Sequence, residues 1–151
     1  MSAAFPFRFD RVARLILPLA WIRPSRAAVV VDDDRMRVEF GPFRLETPRH
    51  NIADATITGP YRWWKVIAVH VSLADRGVTF GTNSGPGVCV RFREPVAGVG
   101  ARFGIRHPGA TVTVADPAAL VAALSADERQ AAQDRPGDST RAHYDPRVRV
   151  T

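Results

Sequence analysis

Residues 35–47 read RMRVEFGPFRLET and contain the clearest structural signal in the chain. Apolar and charged side chains alternate on both sides of Gly41-Pro42, which is the pattern of two half-buried strands joined by a tight turn. If Phe40 faces Phe43, all the apolar residues share one face. The same register places opposite charges across from each other, Glu39 with Arg44 and Arg37 with Glu46. Both faces therefore predict one antiparallel hairpin.

Residues 78–92 show a second run of alternation around the loop NSGPG at 83–87. A five-residue loop rich in glycine and proline is a common hairpin length. We therefore expect a second hairpin, in which Phe80 faces Val90 and Val78 faces Phe92.

Four further segments have the composition of strands: 28–31, 52–58, 66–73 and 111–114. After them, Asp116-Pro117 predicts a helix, because Asp is a favoured N-cap and Pro is favoured at the first helical position. We expect an α+β fold that is mainly antiparallel β, with about seven strands in a curved sheet or partial barrel capped by the C-terminal helix.

The chain divides into a basic amphipathic segment (1–26), a single globular domain (27–133) and a polar tail (134–151) that we expect to be flexible. A length of 151 residues and a hydrophobic fraction of 46% suit one domain with a real core and exclude a disordered protein. One cysteine excludes a disulfide scaffold.

The net charge of +6 is concentrated at the N-terminus, where residues 1–26 hold five Arg and one Asp. Such a basic end can contact anionic lipid, nucleic acid or an acidic partner. The alternative is genome composition, since the chain has 20 Arg and one Lys. We do not expect nucleic acid as a partner, because Arg37 and Arg44 share their surface with Glu39 and Glu46.

The N-terminal segment also predicts a short helix that starts after Asp10. Its apolar face would hold four residues: Phe9, Val12, Ile16 and Leu19. The apolar run at 15–22 is shorter than the roughly 20 residues of a membrane-spanning helix, and no signal-peptide cleavage pattern follows it. We therefore expect a cytoplasmic protein, whose N-terminal helix either packs on its own domain or lies on a membrane surface.

Residues with catalytic or metal-binding chemistry are few. His50, His70, His107 and His143 show no spacing typical of a zinc site. Cys89 lies within a predicted strand rather than at a helix N-terminus, which favours a packing role over a nucleophile. We expect no enzymatic activity, no metal and no cofactor.

Residues 59–65, GPYRWWK, combine three aromatic side chains with two basic ones. Neighbouring residues of a strand point to opposite faces, so one of the two tryptophans is exposed unless a terminal segment covers it. Trp, Tyr and Arg anchor interfaces, and Trp beside basic residues suits a lipid headgroup region. Alternatively, one Trp enters the core and the other lies under the N-terminal helix. The candidate binding residues are Tyr61, Arg62, Trp63, Trp64 and Lys65.

The order of strands followed by a final helix resembles the pleckstrin-homology-like fold. Residues 37–41 and the stretch TPRHNI at 47–52 are similar to a strand and crossing of its bacterial members. The stretches SLADRGVTF at 72–80 and CVRFREP at 89–95 resemble an unannotated actinobacterial protein family, over roughly residues 5–125. The resemblance implies no established activity, although members of the superfamily often bind lipids, peptides or proteins.

Two functions follow from these observations. The leading expectation is a non-enzymatic interaction module that presents the cluster at 61–65 to an unknown protein partner or to a second copy of the chain. The alternative is peripheral binding to an anionic membrane surface through the same cluster and the basic N-terminus.

Overall fold

The computed structural model of the chain describes residues 1–59, 68–71 and 76–133. Nine strands form two sheets in this part of the chain, and a helix follows the last strand. The strands are β1 Ala3–Pro6, β2 Ala27–Val31, β3 Arg35–Phe40, β4 Phe43–Pro48, β5 Ile52–Thr58, β6 Ala68–Val71, β7 Val78–Gly81, β8 Gly87–Ala97 and β9 Arg106–Val112. The helices are α1 Arg11–Ile16 and α2 Pro117–Gln133, with 3₁₀ turns at Leu17–Ala20, Pro24–Arg26, Arg49–Asn51 and Ala101–Phe103.

The first sheet has the antiparallel order β1-β2-β3-β4. Its central hairpin has the predicted register, from Phe40 opposite Phe43 to Met36 opposite Thr47. The alternating apolar residues of β3 are fully buried. On the outer face, however, Arg44 binds Glu46 at 3.0 Å rather than its cross-strand neighbour Glu39.

The second sheet has the order β5-β8-β9-β7-β6 and is antiparallel except for the parallel pair β7 and β9. The predicted pairing of Phe80 with Val90 is wrong, because β9 lies between β7 and β8. Strand β8 continues to Ala97, and the chain returns through residues 98–105 to form β9 beside it. Alternation identified the buried face of each strand correctly, but it does not specify which strand is the neighbour.

The N-terminal segment is part of both the first sheet and the core. Strand β1 pairs with β2, and Phe7 forms an isolated bridge to Val114. The core covers Phe9, Ala13 and Leu17, so the expectation that the predicted apolar stripe packs on its own domain is wrong beyond Phe9. The predicted stripe residues Val12, Ile16 and Leu19 lie at the surface.

Hydrogen bonds to the second sheet hold the residues just before α1. The N–H of Arg8 donates to Thr113, and the N–H of Asp10 donates to Thr82. The side chains of Thr82 and Asn83 both donate to the carbonyl oxygen of Arg8. Asp10 stands at the N-cap position, but its carboxylate accepts from the Ser84 N–H at 3.1 Å instead of capping the helix. These contacts fasten the chain just before α1 to the second sheet, and the burial of Ala13 and Leu17 accompanies them.

Aromatic contacts join the two sheets across the core. The ring of Phe40 in the first sheet lies 5.6 Å from that of Phe80 in the second, and 4.9 Å from that of Phe7. Helix α2 contributes the buried side chains Leu120 and Leu124. Its predicted N-cap is confirmed, because Asp116 Oδ1 accepts from the Ala119 N–H at 2.9 Å.

The expected fold class is confirmed at the level of a mainly antiparallel α+β protein with few helices. The described residues form two sheets with no closed barrel, and they contain nine strands where the sequence predicted about seven. The predicted binding cluster Tyr61, Arg62, Trp63, Trp64 and Lys65 lies outside the described residues, as does the tail 134–151.

Candidate functional site

The N-terminal helical segment carries a second apolar face that points away from the core. Helix α1 runs directly into the 3₁₀ turn Leu17–Ala20, so residues 11–20 form one helical stretch. Positions i, i+3, i+4 and i+7 of such a stretch share one face. That face holds Val12, Leu15, Ile16 and Leu19, whose exposed fractions are 45%, 79%, 48% and 85%. We call these four residues and the adjoining Trp21 the N-terminal apolar surface.

Trp21 ends this stretch in a strained conformation. Its φ is +61°, and its side chain is 76% exposed. Residues other than glycine lose about 1–2 kcal/mol in the left-handed region, which is why helices commonly end on glycine. A bulky residue there is an outlier, and such outliers concentrate at functional sites. The fold thus accepts backbone strain at a position where an indole ring is exposed.

Four arginines lie along the same segment, and all four are exposed: Arg11, Arg14, Arg23 and Arg26. The one acid among residues 1–26 is Asp10, whose carboxylate already accepts the Ser84 N–H. The ion pairs in the described part of the chain involve other cations, namely the N-terminal amine and three arginines around Glu46. The apolar surface is therefore flanked by four arginines, none of which forms an ion pair with a carboxylate of the described residues.

The turn between β3 and β4 supports the end of this surface. Gly41 has a φ of +60°, and its N–H donates to the carbonyl oxygen of Arg26 at 3.0 Å. A Cβ at this position would lie 2.8 Å from the carbonyl oxygen of Trp21 and 2.8 Å from Cγ1 of Ile22. The turn of the β3–β4 hairpin therefore contacts residues 21–26 and holds them in place.

The described histidines and the cysteine with possible catalytic chemistry lie in different environments. The buried ring of His107 has Nδ1 2.8 Å from the carbonyl oxygen of Arg76 and Nε2 2.9 Å from that of Val99. Cys89 is half-buried in β8, opposite Thr56 in β5. His50 is exposed in the 3₁₀ turn after β4. In the described part of the chain, no three His, Cys, Asp or Glu residues lie close enough to hold a metal ion.

A charge cluster on the outer face of the first sheet is centred on Glu46. Its carboxylate binds Arg35 at 2.6 Å, Arg44 at 3.0 Å and Arg37 at 3.4 Å. The hydrogen bond from Arg35 is the main reason that the pKa of Glu46 is lowered, and Arg44 and Arg37 lower the pKa further. In the turn between β2 and β3, the N-terminal amine lowers the pKa of Asp33.

Sequence reasoning missed Leu15 and Trp21 as members of a surface. The signal was present, because Leu15 is three residues after Val12 and therefore lies on the same helical face. The spacing of apolar residues does not show which of the two apolar faces of this short helix is buried.

Comparison with protein-family models, with curated proteins and with solved structures finds no match to this chain. Among the helices in the described ranges, none has both the length and the apolar character needed to cross a membrane.

Proposed function

We propose that this chain is a binding module that attaches peripherally to an anionic membrane surface through the N-terminal apolar surface. The observation that carries the proposal is the exposure of Leu15, Leu19 and Trp21 beside four exposed arginines. Peripheral helices bind membranes with this combination of an apolar face and a basic flank. The cytoplasmic leaflet supplies the matching negative surface potential.

The energetics of the two contributions favour a reversible attachment. Apolar area removed from water contributes about 25 cal/mol per Å², so Leu15, Leu19 and Trp21 together supply a substantial hydrophobic term. Each Arg near an anionic leaflet adds about 1 kcal/mol. Because salt screens the charge term, binding to anionic vesicles should weaken as the ionic strength rises.

Charge complementarity favours lipid over a second copy of the chain. In a symmetric dimer the same patch meets itself, so the interface would bring together the four arginines that flank this surface in each copy. Like charges brought together at an interface oppose association. An anionic bilayer instead offers phosphates to the arginines and hydrocarbon to the leucines.

The proposal is tested by sedimentation with vesicles of phosphatidylcholine alone and with added phosphatidylglycerol. We expect wild-type protein to bind only the anionic vesicles at low salt. The double variant Leu15→Asn/Leu19→Asn and the double variant Arg11→Gln/Arg14→Gln should each bind at least about tenfold more weakly, since 1.4 kcal/mol corresponds to a factor of ten.

Matched controls separate these effects from a general loss of apolar area or charge. Phe103 is 86% exposed in another 3₁₀ turn, and Arg91 is exposed on β8. Phe103→Asn and Arg91→Gln should leave vesicle binding unchanged. Absence of binding to anionic vesicles at low salt would refute the proposal. So would concentration-dependent dimerisation in ultracentrifugation that Leu15→Asn/Leu19→Asn removes, because the surface would then be an interface between copies.

The other expectations from sequence stay predictions. The resemblance to the pleckstrin-homology-like fold agrees with the proposal, because members of that superfamily often bind lipids. The cluster Tyr61–Lys65 is a second candidate contact. Trp63→Ala and Trp64→Ala in the same vesicle and ultracentrifugation assays measure its contribution to lipid binding and to self-association.

A further inference from the structure

A cavity of about 410 Å³ lies between the end of β4 and the last part of β8. The pairing of β8 with β9 is irregular between Arg91 and Val96. Such irregularities bend a strand and re-aim its side chains. Arg93 from β8 and Arg106 from β9 both line this cavity.

Both guanidinium groups are oriented by the backbone around them. Nε of Arg93 donates to the carbonyl oxygen of His50 at 3.1 Å, and Nε of Arg106 donates to that of Pro95 at 3.0 Å. These bonds use one N–H of each group and leave the terminal NH₂ groups as donors to another acceptor. A guanidinium held in this way loses less entropy when it binds a ligand than a freely rotating one.

Hydrogen bonds of Asn51 connect the two sides of the cavity rim. The Asn51 side chain donates to Thr47 Oγ1 and to the Glu94 carbonyl oxygen, both at 3.0 Å. Its Oδ1 accepts from the Glu94 N–H at 2.8 Å. Two carboxylates line the cavity, those of Glu46 and Glu94. Glu46 is bound by three arginines, which more than offset its charge.

We propose that this cavity binds a phosphate group through Arg93 and Arg106. Two oriented guanidinium groups from adjacent strands suit a tetrahedral anion with several terminal oxygens, because each fork can make paired hydrogen bonds to two oxygens. The charges of Arg93 and Arg106 exceed that of Glu94, and a dianion gains about twice the attraction that a singly charged carboxylate would gain at the same place.

This site is separate from the N-terminal apolar surface. Gly41, at one end of β4, contacts Trp21, whereas Thr47 and Pro48, at the other end, line the cavity. Strand residues rise by about 3.3 Å each, so the two sites are on the order of 20 Å apart along the hairpin. The phosphate therefore belongs either to a free phosphorylated ligand or to a lipid headgroup outside the proposed contact.

The test is a titration of the ¹⁵N-labelled full chain with inorganic phosphate at constant ionic strength, followed by amide chemical shifts. We expect saturable shifts at the amides of Asn51 and Glu94. Arg93→Gln and Arg106→Gln should each weaken binding at least about tenfold, the usual loss for a charge-assisted hydrogen bond. Arg91→Gln is the matched control, because Arg91 is exposed on the same strand and does not line the cavity. It should bind phosphate as the wild type does.

Shifts that do not saturate, or that are equal in all three variants, would mean an adventitious ion only and would overturn the proposal. The source of the phosphate is decided by anionic vesicles. If Arg93→Gln/Arg106→Gln retains wild-type vesicle binding while losing phosphate, the site serves a free ligand. If it loses both, the site takes a lipid headgroup. A dispersed spectrum of each variant establishes that it is folded.

Discussion

Gly41 lies directly against the backbone of Trp21, so close that a Cβ at position 41 would be 2.8 Å from the carbonyl oxygen of Trp21. Both residues have positive φ, +60° at Gly41 and +61° at Trp21. Glycine adopts this conformation without cost, whereas tryptophan does not. The contact joins the hairpin of the first sheet to the N-terminal apolar surface, and it permits separate tests of stability and of binding.

Replacing Trp21 by glycine should separate these two properties. Relief of the left-handed strain at position 21 should raise the free energy of unfolding by about 1–2 kcal/mol. The greater conformational freedom of glycine in the unfolded chain should lower it by roughly 0.5–1 kcal/mol. We expect Trp21→Gly to be at least as stable as wild type in urea unfolding, yet to bind anionic vesicles more weakly. Trp21→Phe keeps an aromatic ring and the strain, so it should retain most of the binding. A marked loss of stability in Trp21→Gly would show that the indole packs on the fold.

Replacing Gly41 by alanine should destabilise the protein through steric contact. The new Cβ would meet the Trp21 carbonyl oxygen and Ile22, and overpacking of this kind costs about 1–3 kcal/mol. Gly104 is the matched control, because its φ of +73° is similar and a Cβ there would meet nothing within 4 Å. Urea unfolding should show Gly41→Ala losing at least about 1 kcal/mol more than Gly104→Ala. Equal losses would mean that residues 21–22 move aside freely.

His107 should be important for folding. Its ring nitrogens lie beside the carbonyl oxygens of Arg76 and Val99, and it connects two loops at one end of the second sheet. In His107→Phe, a ring of similar shape removes the donor, and an unsatisfied carbonyl costs about 1–3 kcal/mol. His50→Phe, at an exposed position, should change stability by less than about 0.5 kcal/mol. Thermal unfolding of the two variants compares them, and similar melting temperatures would contradict this role for His107.

Glu46 should make stability depend on pH in the acid range. The pKa of Glu46 in the folded chain is lowered from its ordinary value of 4.5, chiefly by the hydrogen bond from Arg35. A lowered folded pKa means that the contribution is present above pH 4.5 and is lost as the pH falls through the folded value. Glu46→Gln should therefore flatten the profile of unfolding free energy below about pH 5. Added salt should reduce the difference, because the cluster is exposed to solvent.

The two predicted hairpins differ in how well the sequence alone predicted their strand pairing. Residues 35–47 have one pairing that satisfies both faces, because a shift by one residue would move every apolar side chain into solvent. The register was therefore predictable without any knowledge of the rest of the chain. For β7 and β8, alternation predicted the buried residues Val78, Phe80 and Val90. It did not predict that β9, residues 106–112, lies between these two strands. The sequence of β9 contains a charged residue and a glycine and has no strong strand pattern.

The candidate surface was only partly predictable. Its basic charge and the helix at 11–16 follow from composition and from the spacing of apolar residues. The predicted stripe of Val12, Ile16 and Leu19 does share a face, yet that face is exposed. The helix has apolar residues on two sides, and its own sequence does not rank them.

What this sequence determines by itself is local: the hairpin register, the start of α2 at Asp116-Pro117, and a basic, apolar N-terminal segment. These follow from side-chain periodicity and backbone preferences that act within a few residues. The tertiary structure decided which face of the N-terminal helix is buried, which strands are neighbours, and that Arg93 and Arg106 meet in one cavity. Those outcomes depend on contacts between residues far apart in the chain, such as Arg8 with Thr113 and Trp21 with Gly41. Such contacts form, and contribute to stability, only when the whole chain has folded.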